Sequence, residues 1–206
     1  MEIFITLLIL LFSIILHEYS HGYIAYKNGD DTAYLMGRLT FNPIKHIDPM
    51  GTFVLPLLCY LMHLPLFGWA KPVPVNFLRL NNPKKDMAKV AFAGPASNLL
   101  VVVLCVFIFK ILVILNVQEV LFYKILIYGI QINLILAIFN LIPIPPLDGS
   151  KIIASFLPDR QSLRYLSLER YGMIFVIILI VIGAFRMIIV PVFNYCFNLI
   201  SFIIGV

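Results

Sequence analysis

The 206 residues are 62% hydrophobic and 12% charged, with a mean hydropathy of +1.01. Soluble domains carry about 45–50% apolar and about 25% charged residues, so this composition excludes a soluble enzyme and, with its many aliphatic and aromatic residues, intrinsic disorder. The net charge of +5 does not mark a nucleic-acid binder, because Lys and Arg fall between apolar stretches rather than along one polar helix face. The reading is an all-α polytopic membrane protein, one domain over 1–206, with about five to six transmembrane or re-entrant helical segments.

In chain order, residues 3–26 form an unbroken apolar run long enough to span a bilayer, which requires about 20 residues. Met1-Glu2 lacks the basic start of a signal peptide, and no small-residue cleavage site follows. The sequence HEYSH, 17–21, occupies the far end of this run. Asn28-Gly29-Asp30-Asp31 then stops it, and the loose apolar–polar alternation of 34–41 predicts a short membrane-associated strand or β-hairpin. Residues 51–69 are apolar but interrupted by Pro56 and Pro65, and 70–89 are polar and proline-rich. Two full spans follow, 88–115 and 121–142, then a loop over 143–170 and a last apolar region to Val206, broken by Arg186 and Pro191. Cys59, Cys105 and Cys196 lie in apolar sequence without a CxxC pair and read as small hydrophobes.

Twelve of the 15 basic residues fall in three segments, 27–49, 70–89 and 143–170. If 51–69 crossed the membrane, the first two would face opposite sides. A re-entrant excursion puts all three on one side, the cytoplasmic one, with HEYSH near that side.

His17 and His21 are four residues apart, so on a helix they stack on one face with Glu18 beside them. Two imidazoles at this spacing can hold one Zn²⁺, and the carboxylate can take a proton from a water that the metal acidifies. Chance order would give HExxH only about 0.002 times in a chain of this composition. Two hydrogen-bonded histidines at a helix end are the bland alternative, but two histidines and a carboxylate in an apolar helix are costly without a site to serve. A catalytic zinc takes a third protein ligand and keeps one position open. Most acidic residues sit at membrane edges or among loop charges. Asp148 differs, because it ends the run Asn140-Leu-Ile-Pro-Ile-Pro-Pro-Leu-Asp148-Gly149, whose prolines break the helix and favour an extended segment lining a cavity. An ordinary Asp-Gly turn is the alternative there. His46 and Asp48 form a second polar pair, read as a hydrogen-bonded loop lock rather than a secondary metal site, and His63 as a packed or interfacial histidine.

HEYSH at 17–21 together with NLIPIPPLDG at 140–149 resembles the site-2 proteases, which are intramembrane zinc metalloproteases. GRLTFNPIKHIDPMGT (37–52), FGWAKPVPVN (67–76), FAGPASNLL (92–100) and LERYG (168–172) look like the compact prokaryotic branch without a PDZ domain. The resemblance implies a zinc metalloendopeptidase that cleaves a peptide bond within or near the transmembrane helix of a membrane-protein substrate. It implies His17, His21 and Asp148 as ligands of one zinc per chain and Glu18 as general base and acid. Asn140, with Pro143 and Pro145, would contact the substrate backbone or the developing oxyanion; Asn98 is a further substrate-binding candidate. The implied setting is the cell membrane, multi-pass, with the lipid bilayer and a transmembrane protein as partners and no nucleic acid; the oligomeric state is not fixed. The substrate must unwind locally, and 34–41 or 73–77 are candidate edges for pairing with it in extended form. A non-enzymatic metal-binding or transport protein is the rival, which leaves Glu18 and the proline run without a role.

Overall fold

The computed structural model describes residues 2–62 and 68–205; the expectation for His63 falls outside them. The first apolar run forms α1, Glu2–Lys27. At 1.5 Å per residue it is about 39 Å long. It stops where Gly29 takes φ +103, a conformation that costs glycine little. Asp30, fully buried, then holds two separate pieces of chain. Its Oδ1 accepts the Thr32 amide, opening the short α2 (Thr32–Leu35), and its Oδ2 accepts the Asn76 amide at 2.6 Å.

No strand forms among the described residues, so the hairpin expected over 34–41 is not there. The Asp30 bond winds 32–35 into a helical turn instead, and Gly37 at φ +61 reverses the chain before any alternation is used. Gly51 and Trp69, the two ends of the 51–69 stretch, lie together. Pro49–Val54 is a π-helical turn and α3 covers Leu55–Leu61, both too short to span. The Trp69 amide donates to Gly51 O at 3.1 Å and the Lys71 amide to His46 O at 2.9 Å. His46 Nε2 bonds Thr40 O and Asp48 Oδ1 accepts the Gly51 amide, so this pair does lock the loop.

The long α4, Pro83–Ile114, starts with proline where a free amide would be orphaned, and Asp86 Oδ2 accepts the Asn82 amide to close its first turn. Helix α5 spans Val120–Asn140. The 143–170 stretch, expected to be loop, holds two helices, α6 (Asp148–Phe156) and α7 (Asp159–Leu166). Ile152, Ile153 and Phe156 recur at helical spacing there, and Pro143, Pro145 and Pro146 all precede α6, where they break nothing. Helices α8 (Glu169–Val181) and α9 (Ala184–Ile204) complete the chain. They part at Gly183, φ +75, rather than at Arg186 or Pro191, which α9 contains.

Among the described residues four helices, α1, α4, α5 and α9, are long and apolar enough to cross a membrane. Helix α4 packs on α1, α5 and α6 and is the post around which the others stand. Val102, Ile130 and Leu134 are buried at its contact with α5, with Phe193, Cys196 and Phe197 of α9 against them. The three cysteines are free: Cys59 is buried, and Cys105 and Cys196 pack in the same apolar contacts. Outward faces carry bare apolar side chains such as Ile114 and Phe202, a surface that lipid covers. The protein is an all-α membrane protein.

Candidate metalloprotease site

Helix α1 carries His17 and His21 one turn apart on the face it turns to α4, and Asp148 is the first residue of α6. Their ligating atoms close a small triangle: His17 Nε2 to His21 Nε2 is 3.0 Å, His17 Nε2 to Asp148 Oδ2 3.1 Å, and His21 Nε2 to Asp148 Oδ2 3.2 Å. All three residues are buried. Each ring's other nitrogen is already committed. His21 Nδ1–H donates to Val90 O at 2.7 Å, since a carbonyl can only accept. His17 Nδ1–H donates to Asn98 Oδ1 at 2.6 Å, because the Asn98 amide nitrogen is spent on Asn133.

In the neutral rings both Nε2 atoms therefore present lone pairs, and so does the carboxylate oxygen. Three acceptors within 3.2 Å of one another repel unless a cation lies among them. Zinc fits. With Zn–N and Zn–O bonds of about 2.0–2.1 Å, a tetrahedral site has ligand–ligand edges of about 3.3 Å. Two histidines and a carboxylate are a donor set zinc accepts, and three protein ligands leave its fourth position open.

Behind the ligands runs a buried polar chain that crosses three helices. Asn98 Nδ2 donates to Asn133 Oδ1 at 2.9 Å, and Asn133 Nδ2 donates to Ser13 Oγ and to Gly129 O, each at 2.9 Å. Ser13 Oγ in turn donates to Ile9 O. Asn98, Asn133 and Ser13 are wholly buried. Gly94 makes the close approach possible. A Cβ there would lie 2.4 Å from His21 Nε2 and 2.5 Å from His17 Nε2, so nothing larger than glycine leaves the triangle open.

The ligands face a cavity of about 550 Å³ with a mainly apolar lining. Glu18 and Asn140 line it, with Val73, Val75 and Phe77 from the 68–77 segment, Leu136 and Phe139 from α5, and Met173 and Val176 from α8. Glu18 Oε2 accepts the Val73 amide at 2.7 Å. Asn140 Nδ2 donates to Leu136 O one turn back. Lys151 also lines the cavity, its Nζ 3.9 Å from Asp148 Oδ1, the oxygen turned away from the histidines.

The substrate-side residues fall out differently from the sequence reading. Asn98 lies behind His17, not on the cavity. Of the prolines, Pro146 lines the cavity. Pro143 O instead accepts the Tyr165 hydroxyl, and Pro145 O lies against Gly172 of α8. Both act as posts for the following helices because a proline-rich turn offers carbonyls but few amides. Asn133, Ser13, Gly94 and Lys151 were not singled out from the sequence. A polar residue amid an apolar span was the one available signal for Asn133.

Fold and site together define a helical membrane protein with a two-histidine, one-aspartate cluster at a cavity wall that could hold a metal ion. The model of peptidase family M50 matches residues 114–184. "Putative zinc metalloprotease YwhC" of Bacillus subtilis is 37% identical over 193 residues, covering 90% of this chain and 84% of that one. "Putative zinc metalloprotease Rip2" of Mycolicibacterium smegmatis is 27% identical, over 84% of this chain and 65% of its own length. "Putative zinc metalloprotease MJ0611" of Methanocaldococcus jannaschii is 44% identical over 69 residues, 34% of each chain. No solved structure matches. The chain belongs to peptidase family M50, the site-2 protease family, and is a zinc metalloprotease.

Proposed function

We propose that this zinc metalloprotease cleaves a peptide bond within or near the transmembrane helix of a membrane-protein substrate, in the setting of regulated intramembrane proteolysis. His17, His21 and Asp148 hold one zinc ion per chain. The observation that carries this reading is the triangle of acceptor atoms opening on a cavity that Glu18 also lines.

A bound zinc ion supplies Lewis acidity, polarising the scissile carbonyl and making a water acidic enough to be deprotonated near neutral pH. The chain's own groups do the rest. Glu18, oriented by the Val73 amide, accepts the proton as the water attacks and returns it to the leaving amine. Asn140, on the cavity lining, hydrogen-bonds the substrate backbone or the developing oxyanion. Asn98 and the Val90 carbonyl fix the tautomers that leave Nε2 free to hold a metal ion.

A transmembrane helix hides its carbonyls in its own hydrogen bonds, so the substrate reaches the site locally unwound. The apolar lining suits its side chains. Residues 68–76 run beside Glu18 without regular structure, and Pro72 and Pro74 keep them from joining a sheet of their own, which leaves them available to an extended peptide. The basic segments 27–49 and 70–89 meet through the Lys71–His46 bond, which supports a shared cytoplasmic side and a multi-pass chain in the cell membrane with its site toward the cytoplasm.

Reconstitution into lipid vesicles with a single-pass peptide substrate tests the reading. Chelator-sensitive cleavage should map, by mass spectrometry, inside the hydrophobic segment or at its edge. Cleavage confined to distant soluble tails, or zinc uptake into vesicles without cleavage, would contradict it.

A further inference from the structure

We propose that Arg38 is a positioning residue for the general base, acting on Glu18 through a single peptide group of the cavity wall; the proposal rests on the role of Glu18 given above. Arg38 is 7% exposed, although its guanidinium always carries charge. Its Nη2 donates to Lys71 O at 3.0 Å and to Pro72 O at 3.1 Å. The Pro72 carbonyl and the Val73 amide belong to one trans peptide plane, whose oxygen and N–H point in opposite directions. At one end of that plane stands the Arg38 cation. At the other, the Val73 N–H donates to Glu18 Oε2 at 2.7 Å.

A cation at the oxygen end withdraws electron density from the amide and strengthens its N–H as a donor. It also fixes the plane's direction, and so the carboxylate's. Two further contacts keep the peptide from rotating away. The Lys71 amide is held by His46 O, and Val73 Cγ1 lies 2.8 Å from where a Cβ on Gly22 would be, so the valine packs flat on α1 one turn past Glu18. Burying a guanidinium for loop closure alone is expensive. Here the charge is placed on the carbonyl of the peptide whose N–H holds Glu18.

The test uses the full chain in vesicles with the same single-pass peptide, reading zinc content, kcat and KM for Arg38→Met, Arg38→Lys, Val73→Pro and the Arg38→Met/Val73→Pro double variant. Arg38→Met should keep its zinc, lose about ten- to hundredfold in kcat, as expected for a hydrogen bond to a charged group, and change KM by less than about threefold. Arg38→Lys, which can reach one carbonyl, should recover part of the loss. In the Val73→Pro background, where the N–H is gone, Arg38→Met should cost less than about threefold more. Wild-type kcat in Arg38→Met, losses that multiply fully in the double variant, or a zinc-free Arg38→Lys would overturn the proposal. Glu18→Gln run in parallel separates the two claims. If it still cleaves, the reading of Glu18 fails; if it is dead while Arg38→Met is fully active, the Arg38 proposal alone fails.

Discussion

His17 and Glu18 are neighbours on α1, yet the two sides of the helix they define are held by different kinds of structure. The ligand side is supported by helices throughout: Val90 and Asn98 on α4, Asn133 on α5 and Asp148 at the head of α6. The base side rests on one backbone N–H from a segment without regular structure. A tetrahedral ion tolerates little error in its ligands, so their supports are regular and buried. In the proposed function Glu18 would share its cavity with a peptide that arrives and leaves, and an irregular wall can accommodate that exchange. The comparison makes the two sides separable by mutation.

The largest effect should come from Asp148→Ala, which removes one corner of the triangle and leaves two histidines. Zinc and activity should both vanish, and a full zinc complement measured by plasma emission would break the ligand assignment. Gly94→Ala comes next. The added methyl would stand about where the two Nε2 atoms converge, so zinc should be displaced or bound at least about a hundredfold more weakly even though the substitution is otherwise helix-favouring. Unchanged affinity in a competition titration would show that α4 can retreat from α1. Asn98→Ala frees the His17 ring and should weaken zinc about ten- to hundredfold, the usual cost of losing a ligand's hydrogen-bond partner. Ser13→Ala, at the far end of the same chain, leaves Asn133 short of one acceptor. It should cost about 1–3 kcal/mol of stability with zinc affinity nearly intact, read from thermal unfolding in detergent. These four probe the ligand side and should fall in order of distance from the metal.

How much of this was legible in the sequence follows from what is local and what is not. The i, i+4 spacing of His17 and His21 needs only a helix to become a metal face, and the helix was evident from its apolar run. Asp148 was legible because it follows three prolines in otherwise apolar sequence. Asn98, Asn133 and Ser13 touch only because three helices pack; they are 35 and 120 positions apart, and nothing in any one segment announces the chain they form. Arg38 read as one more basic loop residue for the same reason. The alternation over 34–41 is weak, and the chain there takes a helical turn whose first residue, Thr32, is held by Asp30. The helices within 143–170 were hidden by the prolines before them. The resemblance implies Asn98 on the substrate side; the sequence shows that the residue is polar, not that it faces His17.

The separation of the two sides of α1 is tested most directly by Glu18→Gln, measured for zinc and for cleavage in the same preparation. Glutamine keeps the size of the side chain and can still accept the Val73 amide, but it cannot take the proton. The account predicts about one zinc per chain, as in the wild type, and no cleavage of a single-pass peptide in vesicles. Cleavage at a comparable rate by the zinc-loaded variant would contradict it.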